Sequence, residues 1–355
     1  MYTAYCFMLS VRQQMATDLL PKGLLVLLIG LLAVILAYIS FELHLGWSLF
    51  RYATKRAKKE DRRDTSYVPQ ETLDWYKIVE DKKEDVFAFP HETLEMEIDG
   101  LTLRGVYFPS HEHASSVSFA DGCAVLVHGW RDVHFSRAVD VMMYLDAGFS
   151  VFVPYLRGHE PSEGKYIDLG CRYRKDLFSW MEQIRVRPEC QTPSYFVLDG
   201  LSMGAATVLT ASGDHDLPTD VRAVLADCGY TSFLEQGKWM IRGMKPMIRY
   251  PAFLFTLVFL WLIMGYKRSD PTPLKQVKKA SVPIMIIHGE DDLFVPPSMS
   301  KELYDACASE QKDYWLVSGA KHAMSQRVAG DEYWSKKRAF IEQALKRSPV
   351  KTDHS

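Results

Sequence analysis

The chain has 355 residues, of which 48% are hydrophobic and 24% charged, with a formal net charge of -2. This length and composition suit one large α/β core, and the near balance of charge excludes nucleic acid as a bulk electrostatic partner, which calls for a clearly basic domain. The six cysteines, Cys6, Cys123, Cys171, Cys190, Cys228 and Cys307, are scattered without a C-x-x-C pair, which speaks against a disulfide framework and mildly for a reducing compartment.

After an N-terminal segment, residues 1–22, the run Gly23 to Phe41 carries no charge. At a helical rise it reaches about 28 Å, near the thickness of a bilayer's hydrocarbon core, so residues 23–42 are expected as one transmembrane helix that meets membrane lipid. The flank FELHLGWSLF lacks the small-x-small pattern of a cleaved signal peptide. Arg51, Lys55, Arg56, Lys58, Lys59, Arg62 and Arg63 follow the run, and only Arg12 and Lys22 precede it. The positive-inside rule then predicts a single-pass protein whose main domain faces the cytoplasm, with export as the alternative. Residues 43–85 read as a basic juxtamembrane connector that includes the helical piece ETLDWYKIVEDKKEDV.

A globular domain is expected over residues 86–347, followed by a tail at 348–355. LEMEI and LTLRGVYF alternate apolar and polar residues around Asp99-Gly100, a hairpin signal. Six short apolar strands then recur between helical stretches: CAVLVHG, SVFVPYL, SYFVLDG, RAVLADC, PIMIIHG and DYWLVSG. Continuous apolar runs suit strands buried on both faces, and their alternation with helices predicts a mostly parallel sheet with helices on both sides. His111 and His113 fall in a polar stretch without acid or cysteine partners and are read as solvated rather than metal-binding.

Directly after SYFVLD stands Gly200-Leu201-Ser202-Met203-Gly204, ahead of a small-residue helix start. This is G-x-S-x-G in strand-turn-helix context, which makes Ser202 the candidate nucleophile. A serine hydroxyl needs a base and a group that orients the base. His288-Gly289-Glu290-Asp291-Asp292 supplies acids at a strand end, and Gly319-Ala320-Lys321-His322 supplies an imidazole. An oxyanion needs backbone N–H donors, and Met203, next after the nucleophile, offers one. His128 and His288 end strands before glycine and read as structural.

Together HGW, RGH, GLSMG, HGEDDLFVP and GAKH resemble the α/β-hydrolase superfamily, in the branch of membrane-anchored Bem46-like hydrolases and prolyl-oligopeptidase-like domains, over about residues 85 to 347. The resemblance implies an α/β-hydrolase fold with a small helical cap. It also implies a Ser202, Asp292, His322 triad, the family pattern H-G-x-x-D-x-x-V-P selecting Asp292 over Asp291 and Glu290. It points to Trp130 as the second oxyanion donor, and it implies no metal or organic cofactor. Glu160 and Leu156 depart from the family's R-G-H-G-x-S stretch, which leaves that loop's shape open.

The run Tyr250 to Tyr266 is also uncharged. A second crossing there would separate Ser202 from Asp292 and His322, so residues 232–272 are expected as a cap-like apolar insertion. Core packing, an acyl-pocket wall and a membrane-interface surface are the three explanations for its character. The resulting expectation is a serine hydrolase of esters or thioesters, with a small acyl-ester or peptide substrate. The alternatives are a serine peptidase and a non-catalytic membrane scaffold.

Overall fold

The computed structural model describes residues 2–58, 70–110, 119–132, 135–170 and 172–346. His111, His113, Lys59, Arg62, Arg63 and Cys171 lie outside the described residues. The chain divides into two compact units: residues 1–52 with 244–265, and residues 53–243 with 266–355.

The larger unit is built on one eight-stranded sheet in the order β1-β2-β4-β3-β5-β6-β7-β8. It opens with helix α2 (Gln70–Phe87) and the hairpin β1 (Glu92–Ile98) and β2 (Leu101–Phe108). Ile98 pairs with Leu101, and the two turn residues Asp99 and Gly100 both have positive φ, the twist that a two-residue hairpin needs. β2 runs antiparallel to β4 (Ser150–Tyr155). From β3 (Gly122–Val127) onward every pairing is parallel, through β5 (Tyr195–Leu201), β6 (Val221–Asp227), β7 (Ile284–Gly289) and β8 (Lys312–Val317).

Period-two alternation explains why these strands are apolar throughout. Ala124, Leu126, Val151, Val153, Val197, Ala223, Leu225, Met285 and Ile287 belong to one core cluster, shared with α3 (Ala138–Asp146) and α11 (Asp331–Lys346). The intervening residues, such as Val125, Phe152, Leu198, Val224 and Ile286, are equally buried on the other face. There lie α4 (Tyr173–Val186), α5 (Met203–Ala211), α8 (Pro273–Val277) and α9 (Pro297–Ala306). Every residue of α5 is buried. The stretch expected as a connector, residues 43–85, holds most of α2, and its Val79 joins the core cluster. Ala57 exchanges backbone hydrogen bonds with Gly158 and Glu160, so residues just past the first helix are already part of the fold.

This unit also holds two short helices. In α6 (Phe233–Met240) Ser232 accepts from the Glu235 N–H, a cap at the helix start, and α10 (Ser325–Ala329) follows the last strand. The smaller unit pairs the long helix α1 (Tyr2–Thr54) with α7 (Pro246–Met264), which ends at the left-handed Gly265. The side chains of Leu24 to Phe41 are almost all exposed, and α1 is long and apolar enough to cross a membrane.

Candidate active site

Ser202 sits at the sharp turn between β5 and α5 with φ 56 and ψ -113. A side chain of its size holds that left-handed conformation only where the surroundings enforce it. Here they do: a Cβ on Gly200 would stand 2.3 Å from the Gly204 carbonyl oxygen, and one on Gly204 2.1 Å from that of Val127. The two glycines of G-x-S-x-G therefore let β5, α5 and the end of β3 close on one another, while the Ser202 N–H donates to Asp227 O. The hydroxyl is lifted beyond the strand end, at the N-terminus of α5.

Ser202 Oγ lies 2.9 Å from His322 Nε2, and His322 Nδ1 lies 2.7 Å from Asp292 Oδ2. The loops after β5, β7 and β8 thus bring the three side chains into one hydrogen-bonded chain. Asp292 is 1% exposed. Its Oδ1 accepts the N–H groups of Phe294 and Val295, which fixes the carboxylate plane. Burial works against its charge, but the neighbouring His322 and hydrogen bonds from His288 and His322 outweigh it and hold the carboxyl well below its ordinary range. Asp291 and Glu290 are not in this chain; Glu290 accepts from the Ser318 hydroxyl instead.

The loop after β3 stands beside the nucleophile: a Cβ on Gly129 would be 3.6 Å from Ser202 Cβ. Gly129, one residue before Trp130, thus adjoins Ser202 in space, and Met203 follows it in the chain. The Trp130 indole donates to Ala53 O and carries the Arg131 guanidinium 4.8 Å from its ring centre.

Two buried histidines hold that loop in place. His128 Nε2 accepts from the Leu156 N–H, and its Nδ1 lies 2.8 Å from Gly129 O. His159 Nε2 accepts from the Arg131 N–H, and the two rings meet edge to face at 4.8 Å. Burial lowers both pKa values, His159 well below the usual, so both rings stay neutral and keep an acceptor nitrogen. In the R-G-H stretch Arg157 pairs with Asp176 and Asp99, and Ser162 donates to Tyr155 O while accepting the Arg104 N–H. The departure at Glu160 leaves these anchors intact.

Cys228 follows β6 with φ 51, and its sulfur lies within 4.8 Å of ligand atoms of Asp292 and His322. Burial, then the charges of Asp227 and Asp292, raise this thiol well above its ordinary range, so it is a neutral neighbour rather than a rival nucleophile. The acid loop is roofed by α6, where Gln236 donates to Phe294 O and the Trp239 indole to Leu293 O. The Phe294 ring packs 4.8 Å from that of His322, which gives the imidazole an apolar side.

A family model described as serine aminopeptidase, S33, matches residues 267–326. YqkD of Bacillus subtilis, an uncharacterised protein, is 25% identical over 227 residues, or 64% of this chain and 70% of its own. An uncharacterised membrane protein of Saccharomyces cerevisiae is 25% identical over 214 residues, 59% of this chain and 66% of its own. The structure of the Pyrococcus furiosus esterase Pf2001 superposes with a TM-score of 0.56 at 21% identity, covering 73% of this chain and 94% of that one. The chain has the α/β-hydrolase fold. The likenesses reach the fold without singling out a Bem46-like branch. Within this fold the stretch matched by the family model contains both Asp292 and His322.

The histidine pair, the His288 contact and Cys228 were not visible as site residues in the sequence. His128 and His159 stand in motifs, HGW and RGH, but nothing in either motif says that the two loops touch. His288 approaches Asp292 Oδ2 at 3.3 Å, so its structural part is to support the acid.

Proposed function

We propose that the chain is a membrane-tethered serine hydrolase that cleaves an ester or thioester with an apolar acyl group, through an acyl-enzyme. The observation that carries this reading is the Ser202–His322–Asp292 hydrogen-bonded chain, with contacts of 2.9 and 2.7 Å. His322 takes the hydroxyl proton as Ser202 Oγ attacks the acyl carbon, and Asp292 stabilises the imidazolium and holds its Nδ1 proton away from the nucleophile. The backbone N–H groups of Met203 and Trp130 receive the oxyanion. Collapse of the tetrahedral intermediate expels the alcohol or thiol, which takes the proton from His322. Water then repeats the sequence on the acyl-enzyme, with His322 as base again and Ser202 as leaving group. None of these steps calls on a metal or organic cofactor. Phe294 beside His322 and the exposed Leu293 favour an apolar acyl chain over a charged one.

In this reading α1 crosses the bilayer over residues 23–42 and the hydrolase domain faces the cytoplasm, on the side of Arg51, Lys55, Arg56 and Lys58. A second reading, hydrolysis of small peptides, is favoured by the serine aminopeptidase description of the matched family model.

The test uses the full-length chain in detergent or vesicles. A fluorophosphonate probe labels it, and Ser202→Ala abolishes both labelling and turnover, a loss of about four to six orders of magnitude. Rates across acyl esters, thioesters and peptide amides then separate the two enzyme readings: faster peptide cleavage would overturn the first. Failure of folded protein to label would leave a non-catalytic scaffold. A reporter fused at the C-terminus that is active only outside the cytoplasm would overturn the orientation.

A further inference from the structure

The apolar helix α7 leaves β6 and returns to β7, a neighbouring strand in the same sheet, so it does not carry the chain to the far side of a bilayer. Its place within the smaller unit gives it a different use. α1 and α7 run side by side in the same direction. Tyr38 donates to Met247 O, Thr256 donates to Gly46 O at 3.1 Å, and the Phe259 ring lies 5.2 Å from Trp47 and 6.1 Å from Phe50. Tyr38 to Phe50 and Met247 to Phe259 are each twelve residues, about 18 Å of helix, so the register holds from one contact to the next. Gly46 permits the approach, since a Cβ there would stand 2.6 Å from Phe255 Cβ.

This register puts the first turn of α7 level with Tyr38, inside the uncharged run that ends at Phe41. One face of α7, Ala252, Thr256, Leu260 and Met264, is buried. The opposite face begins with Met247, Tyr250 and Leu254, which are 68, 63 and 59% exposed. Lys245 and Arg249 stand at this end of the helix, and the sequence has no acid between Glu235 and Asp270. An apolar face edged by cations, set at the depth where a neighbouring span ends, matches a lipid interface: the cations reach phosphates, and Met247 and Tyr250 reach the acyl boundary.

We infer that the first two turns of α7, Pro246 to about Leu254, are embedded in the interface of the same bilayer that α1 crosses, on the hydrolase-domain side, with Met247 deepest. The inference rests on α1 being a membrane span. Trp261 lies fourteen residues beyond Met247, about 21 Å along the helix, and stands outside the acyl region.

Photo-crosslinking tests it. p-Benzoylphenylalanine is placed singly at positions 32, 247, 250, 261 and 186 of the full-length chain, in vesicles of zwitterionic and anionic phospholipid, and lipid adducts are counted by mass spectrometry. Adducts are expected at 32, 247 and 250, at least fivefold fewer at 261, and none at Val186 on α4. Adducts at 32 but only background at 247 and 250 would overturn the inference and leave the span standing. Background at 32 would overturn both. Adducts as strong at 261 as at 247, or protein dimers in place of lipid adducts at 247, would also sink it.

Discussion

Asp199 and Asp292 are both buried carboxylates on the parallel sheet, one inside β5 and the other just past β7, and both are held ionised against the cost of burial. They differ in what faces them. Asp199 meets fixed cations: Arg137 Nη2 at 2.9 Å and Lys337 Nζ at 2.6 Å, with the Tyr144 hydroxyl at 2.8 Å. Asp140 completes the group, 3.2 Å from Arg137 Nε and 3.6 Å from Lys337 Nζ, so two cations and two anions balance where almost no water reaches. Asp292 meets N–H groups and an imidazole, which can change its charge. Arg137 and Lys337 are 1% exposed, whereas the His322 side chain is 22% exposed. Burial alone therefore separates nothing. A buried acid supports chemistry when its partner can pick up a proton and also reach open space, and it supports architecture when its partners are permanent charges that cannot leave.

The comparison breaks most sharply at the site. In Asp292→Asn the amide oxygen can still accept from Phe294 and Val295, but an N–H now faces His322 Nδ1. That forces the imidazole proton onto Nε2, where it confronts Ser202 instead of accepting from it. Turnover on an ester substrate is expected to fall by about three to four orders of magnitude, with the thermal midpoint little changed. A loss under tenfold would show that Asp292 does not set the tautomer. At the other carboxylate, Lys337→Met leaves Asp199 and Asp140 facing Arg137 alone. An uncompensated buried charge costs about 3 to 5 kcal/mol, so chemical denaturation should show a large loss of stability while kcat of the folded fraction stays near that of the parent. A large fall in kcat at full stability would mean that the network belongs to the site.

How much of this the sequence discloses follows from the range of each signal. The six parallel strands are legible because both of their faces are covered, which makes each one apolar throughout. The Asp99-Gly100 hairpin is legible because two successive positive φ values demand those residues. The candidate triad is legible because each member sits next to a strand end inside a short motif. Arg137 and Lys337 look like ordinary helix-surface charges in sequence, and only tertiary packing turns them onto Asp199. The His128–His159 pair is hidden for the same reason, as it depends on two loops meeting. In α7 nearly every residue is apolar, so periodicity cannot separate the face that packs on Gly46 from the face that stays exposed. That distinction needs the register with α1.

Asp168 offers a third buried carboxylate and the finest test of the comparison, because its partner is weak. It lies in the loop before α4 and accepts the Arg172 N–H, but the Arg172 guanidinium stands 3.7 Å away on a side chain that is half exposed. Burial pushes its pKa up to about 7, with the Arg172 N–H and guanidinium opposing only in part. The folded state therefore binds this proton more tightly than the unfolded state does. The associated stability is fully present below about pH 4 and is lost as pH rises through about 7. Asp168→Asn keeps an acceptor for the Arg172 N–H and cannot ionise. Its stability relative to the parent should improve from pH 5 to pH 8 by roughly 2 to 3 kcal/mol, read from denaturation midpoints at each pH. Parallel profiles for parent and variant would place Asp168 with Asp199 and Asp292, as a carboxylate whose surroundings already neutralise the cost of its charge.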